Sequence, residues 1–197
     1  MAPAGLRLLS KFRPSLSLSR TTFLQPTIMT IVQERNTTSA TLAAPTVRPV
    51  VSSFLSIGNP RDAATFRVCL LKRSRKAHVY FGQWAACSGS IEAGDKDALT
   101  AALREVREEM SVKSRDLELV VAGEPLEIYD KKLATVWKVW TFVWKLRGVK
   151  SVEEAIRKVR LDAEHEEMKW VRPEELRRMD TVQGLADTLE RVLRLKN

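Results

Sequence analysis

The stretch SGSIEAGDKDALTAALREVREEMSV, residues 88–112, decides how this chain is read. A short turn containing Gly89 and Gly94 runs into a helix that carries Glu105, Glu108 and Glu109. Carboxylates at i, i+3 and i+4 project from one side of a helix, because each residue turns about 100°. At that spacing they repel one another unless a cation sits between them. Leu99, Leu103, Val106 and Met110 fall at i, i+4, i+7 and i+11, which predicts an apolar opposite face turned to a core. A cluster of oxygen donors suits a hard divalent cation such as Mg²⁺ or Mn²⁺. The bland alternative is a solvated acidic surface helix. Two details weigh against it: Arg104 and Arg107 interleave the acids, and Gly89, Glu92, Gly94 and Asp95 precede them at short range.

That order resembles the signature of the Nudix hydrolases: Gly, five residues, Glu, seven residues, Arg-Glu, an aliphatic, any residue, Glu-Glu, any residue, Gly, an aliphatic. Gly89 fits the opening Gly, and Asp95 stands where the family has its first Glu. Arg104, Glu105, Val106, Glu108, Glu109 and Val112 fit the helical half in register. The chain departs from the pattern in two further places. Eight residues separate Asp95 from Arg104, and the closing Gly is Ser111. The extra residue falls near Lys96 and Asp97, before the helix is under way, where an insertion costs least. Ser111 must end the helix without the ease of glycine in a left-handed conformation.

The flanks are similar to the family as well. Phe81 to Trp84 followed by AACSGSIE resembles the approach to the box, and Trp170-Val171 with Pro173-Glu174-Glu175-Leu176 resembles its late strand-to-helix junction. The box and the later TVQGL also resemble a fungal subgroup. The resemblance spans roughly residues 47–195.

It implies an α/β fold, a Nudix-type α/β/α sandwich with a mixed central sheet. It implies cleavage of the pyrophosphate linkage of a nucleoside diphosphate derivative, with Mg²⁺ or Mn²⁺ as cofactor. Glu105, Glu108 and Glu109 are the expected metal ligands, and Arg104 is expected to orient them. One of Glu108 and Glu109 alternatively accepts a proton from the attacking water; spacing leaves both roles open. Gly89, Glu92 and Asp95 belong to the loop that approaches metal or substrate, glycine allowing the closest approach. Asp95 is the expected site acid and Asp97 the expected helix cap. Further candidates are Glu166 or Glu167, in a loop where the family often adds an acid, and Trp84 or Tyr80 as a surface for stacking a base. The departures at Asp95 and Ser111 motivate an alternative: a Nudix-fold nucleotide-binding or regulatory module with little or no turnover.

The rest of the chain sets bounds. With 197 residues, 44% of them hydrophobic, it can bury one good core. No run approaches the length of a membrane span. Cys69 and Cys87 fall in expected strands and read as small buried hydrophobes, and no zinc spacing exists around the two histidines. Of the net charge of +9, four positive charges come from Arg7, Lys11, Arg13 and Arg20, in a segment with no acid before Glu34. Residues 1–45 therefore read as a disordered basic segment with the composition of a mitochondrial targeting peptide, and 46–197 as the enzyme domain. Initiation at Met29 would give a form lacking most of that segment, expected in the cytoplasm. The densest remaining basic patch, Lys72, Arg73, Arg75 and Lys76, lacks the aromatic interleaving of a nucleic-acid binder, so the expected partner is a small molecule rather than nucleic acid. The sequence is silent on oligomeric state.

Strands are expected near residues 47–57, 65–72, 84–90, 117–122, 125–129, 134–146 and 169–171. The 134–146 run is apolar on both faces and should be covered on both sides. Helices are expected at 97–110, briefly at 151–157, and around Leu185, Leu189, Val192 and Leu193.

Overall fold

A computed structural model describes residues 44–195. The expected targeting segment and the Met29 start lie outside the described residues. The elements are β1 (Thr46–Ile57), β2 (Arg67–Arg73), β3 (Trp84–Ala85), β4 (Cys87–Ser90), α1 (Ala98–Met110), β5 (Leu117–Ala122), β6 (Leu126–Asp130), β7 (Thr135–Leu146), α2 (Val152–Lys158), β8 (His165–Val171) and α3 (Leu185–Arg194), with a 3-10 turn at Pro173–Arg178. They form an α/β sandwich around one mixed, eight-stranded sheet. β1 and β7 run parallel at its centre, from Thr46 beside Thr135 to Ser56 beside Lys145. β4 pairs antiparallel with β1, β5 and β6 with β7, and β8 with β2.

Both faces of the sheet are packed. On one, Val51, Leu55, Phe142 and Trp144 meet Ala102, Val106 and Met110 of α1 and Ala155 of α2. On the other, Phe54, Val68 and Val143 meet Leu176, Leu185, Leu189 and Val192. The C-terminal half of β7 is buried, as a strand covered on both sides should be. In its first half, Val136–Lys138 are only half-buried. Cys69 and Cys87 are free and buried. Among the described residues no helix is long and apolar enough to cross a membrane.

Two expectations change. Leu99 is 40% exposed, and the stripe that packs is Ala101, Ala102, Val106 and Met110 together with Glu105 and Glu109. Leu99 lies in the first turn of α1. The second change is that residues 165–168 are strand rather than loop. Their acids face a cation on the neighbouring strand, Glu166 and Glu167 lying 2.9 and 3.9 Å from Lys72, and Glu164 just ahead of them lies 3.9 Å from Arg73. Opposite charges on paired strands favour the pairing, so β8 begins at His165.

Candidate active site

The helix begins where Asp97 caps it. Its Oδ1 accepts from the Thr100 backbone N–H at 2.7 Å, which satisfies one of the free donors of the first turn. The extra residue is absorbed in the turn ahead of this cap. At the other end Ser111 adopts the left-handed conformation usually taken by glycine, with φ of 56°, and its N–H bonds to Arg107 O.

Between these ends Arg104 gathers the acids. Its Nε and Nη2 donate to Asp95 Oδ1 and Oδ2 at 3.1 and 2.9 Å. Its Nη1 donates to Glu105 Oε1 at 2.7 Å and Glu108 Oε2 at 3.1 Å, and Nη2 also reaches Ser90 O. Asp95 accepts in addition from the Glu92 N–H at 2.9 Å, which closes the loop. The Arg104 guanidinium and that N–H hold the Asp95 carboxyl below its usual range. Glu92 itself is exposed and lies 3.9 Å from Arg104.

The carboxylates of α1 are not equivalent. Glu108 is half-exposed, but Glu105 and Glu109 are 9% and 6% exposed, wedged between α1 and β4. Glu109 Oε2 accepts from the Ser88 N–H at 3.1 Å. Burial pushes Glu109 up to about 8 despite the Cys87 thiol and the Ser88 N–H, and the Glu105 charge adds to the rise. Burial also raises Glu105, against the pull of Arg104. Gly89 is what lets β4 lie this close: a β-carbon there would overlap the Glu105 carboxylate. Among the described residues no three His, Cys, Asp or Glu side chains converge as a ready cation cage. Arg104 stands among the carboxylates instead, and Glu109 is turned to β4.

Across β4 from α1 lies a cleft of about 290 Å³. Ser88, Gly89 and Ser90 form one wall, so the cleft and the acidic helix share Gly89 as a boundary. Arg48 and Val50 of β1, Trp137 and Val139 of β7, Ile128 of β6 and Leu185 at the start of α3 supply other walls. The strand register puts these side chains on one face: Arg48 pairs with Trp137, which pairs with Ile128, and Val50 pairs with Val139. Tyr80 closes one side in a left-handed conformation, φ 57°, uncommon for a residue with a side chain. Its hydroxyl donates to the buried Asp130 carboxylate and accepts from Trp137 Nε1 at 2.8 Å. The two rings are tilted at a centroid distance of 6.3 Å. Burial and Asp130 push the Tyr80 phenol up to about 12, so it stays a neutral donor.

The structure thus brings Gly89, Glu92, Asp95, Arg104, Glu105, Glu108 and Glu109 together. Trp84 sits elsewhere: it packs beside the core under α3, and its backbone pairs with residues 180–182. Glu166 and Glu167 face Lys72, at 2.9 and 3.9 Å. Sequence reasoning missed Trp137 and Arg48 in the cleft, and Asp130, which holds the Tyr80 hydroxyl. Their only sequence signal was alternation along β1, β6 and β7, which gives a face but not which strands adjoin.

Comparison with known proteins places the chain in a family. The family model described as NUDIX domain matches residues 49–192. The chain belongs to the NUDIX family. Among solved structures, the Nudix hydrolase RenU from M. smegmatis is 19% identical, with a TM-score of 0.57 over 76% of this chain and 85% of its own. A C. elegans Ap4A hydrolase is 19% identical, TM-score 0.56, over 73% and 93%. The NUDIX domain of Shewanella oneidensis NrtR, in complex with ADP ribose, is 16% identical, TM-score 0.50, over 73% and 84%. At these identities the likeness is one of fold. A comparison with curated protein sequences gives no match.

Proposed function

We propose that this domain is a divalent-metal-dependent hydrolase that cleaves the pyrophosphate linkage of a nucleoside diphosphate derivative. The observation that carries the reading is the shared wall at Gly89. An aromatic-lined cleft opens on one side of it, and three helical carboxylates stand on the other. Two of the similar structures point to the same ligand class, one named for Ap4A hydrolysis and one holding ADP ribose.

The donor set fits the cation. Glu105, Glu108 and Glu109 offer hard oxygen donors; burial raises Glu105 against the pull of Arg104, and raises Glu109, which no cationic side chain contacts among the described residues. A divalent cation would restore their charge. Bound Mg²⁺ or Mn²⁺ supplies neutralisation of phosphate charge and a more acidic water.

The chain's own residues do the rest. Tyr80 and Trp137 offer ring faces for a base, and Val50, Val139 and Ile128 exclude water around it. Gly89 lets the β4 backbone, which borders the cleft, lie directly against the Glu105 carboxylate. Arg104 and Asp95 hold the acids in place as water attacks phosphorus and the P–O–P bridge opens into two phosphates. One of Glu108 and Glu109 takes the proton of that water.

The test is product formation from a panel of nucleoside diphosphate derivatives with Mg²⁺ or Mn²⁺, beside calorimetric nucleotide binding. Turnover lost in Glu108→Gln supports hydrolysis. Tight binding without product would favour the non-catalytic module instead.

We further propose import into mitochondria, supported by the acid-free basic composition of residues 1–33. A reporter fused after residue 45 that stayed cytosolic would overturn it.

A further inference from the structure

His165 is fully buried at the start of β8 and has no role in the cleft. Its Nδ1 lies 2.8 Å from Asp162 Oδ1. An ionised carboxylate only accepts, so Nδ1 carries the hydrogen, and in the neutral ring Nε2 is left as an acceptor. Nε2 is buried and has no hydrogen-bond partner among the described residues. An unanswered buried polar atom costs free energy, and native structures rarely leave one without a reason. Nε2 lies 4.0 Å from Glu109 Oε2.

The backbone shows that the approach is built. The segment ahead of β8 is fastened to the end of α1: Arg160 N–H donates to Met110 O at 3.0 Å, and Asp162 N–H donates to Glu109 O at 3.1 Å. Asp162 therefore holds the imidazole through its side chain and the last turn of α1 through its backbone. Ring and carboxylate are set against each other by one short loop.

We propose that His165 is a positioning residue for Glu109. Its Nε2, oriented by Asp162, fixes the Glu109 carboxylate from behind while Ser88 N–H fixes it from β4. With Glu109 ionised by a bound cation, a single water donating one hydrogen to Nε2 and the other to Oε2 would satisfy both acceptors, and such a bridge is nearly as favourable as a direct bond. A ligand held from two sides presents its free oxygen in one direction, and outer partners of this kind change metal affinity by about 10–100-fold when removed. The inference rests on the reading of Glu109 as a metal ligand.

The experiment compares two variants of the full chain that divide the ring between them. His165→Gln keeps a polar atom near the place of Nε2, and His165→Asn keeps one near Nδ1. Mn²⁺ affinity is measured by calorimetry, and melting temperature in chelator is recorded beside it. The Gln variant is expected to bind within about threefold of wild type and the Asn variant about 10-fold more weakly. Wild-type affinity in the Asn variant overturns the inference alone, as does equal loss in both. Absence of Mn²⁺ binding by wild type overturns the metal reading beneath it. Should either variant fail to fold, imidazole ¹⁵N spectra of the wild type decide, since the chain has only two histidines. The Nε2 signal of His165 is expected to shift on Mg²⁺ saturation with Nδ1 remaining protonated, and an unmoved signal overturns the inference.

Discussion

Replacing Glu109 with glutamine is expected to stabilise the metal-free domain at neutral pH. The ordinary value for this carboxyl is 4.5, and burial in the fold pushes it to about 8. The sign follows from which state loses its proton first. Below 4.5 both folded and open chains hold the proton, and the favourable contribution of the neutral group is complete. As pH rises the open chain ionises while the fold keeps its proton, so stability falls until about pH 8 and then levels. At pH 7 the open chain is about 2.5 pH units past its midpoint, and at ~1.4 kcal/mol per unit the loss is about 3 kcal/mol. Glutamine has no proton to lose. The gap between variant and wild type should therefore widen from pH 5 to pH 8 and reach roughly 6–12 °C in melting temperature for a domain of this size. Thermal melts in chelator across that range read it directly. Saturating Mg²⁺ should reverse the order, because wild type gains the ligand that glutamine lacks. Parallel pH profiles for the two proteins in chelator would refute the reasoning, since the buried carboxyl would then be as easily ionised as an exposed one.

Gly89→Ala places a β-carbon on the Glu105 carboxylate; it should cost about 1–3 kcal/mol in melting experiments and weaken Mn²⁺ affinity, as overpacking moves a ligand. Arg104→Lys keeps the charge but loses the paired bonds to Asp95 and the reach to Glu105 and Glu108; it should lower kcat far more than it raises KM, measured on whichever derivative the panel identifies. Asp97→Ala should lower the melting temperature by a few degrees without changing turnover, because it removes only the cap of α1. Trp137→Ala should raise KM more than it lowers kcat, since its ring borders the cleft and not the acids.

The element order was legible in the sequence because its signals are local. A β-branched run marked β1, a run apolar on both faces marked β7, and a carboxylate three residues ahead of a backbone donor marked the start of α1. Asp97 caps the helix for that reason, with no help from distant residues. The acidic run at 164–167 was misread because acids disfavour strand only when nothing answers them. Lys72 and Arg73, about 90 residues away, do answer them, and no local rule contains that fact.

The amino-acid sequence by itself determined the family and the identity of the helical acids, since Glu105, Glu108 and Glu109 sit at i, i+3 and i+4 whatever surrounds the helix. It also determined the position of Gly89 ahead of them. Only the tertiary structure decided that Glu105 and Glu109 are buried while Glu108 is not. Helical periodicity placed all three opposite the apolar stripe, and it took the seating of β4 against α1, through the missing side chain of Gly89, to enclose two of them. The cleft was decided in the same way. Arg48, Tyr80, Ile128, Trp137 and Leu185 share it because strand register and the docking of α3 bring them together. Register is a property of pairs of distant segments and is written in neither segment alone.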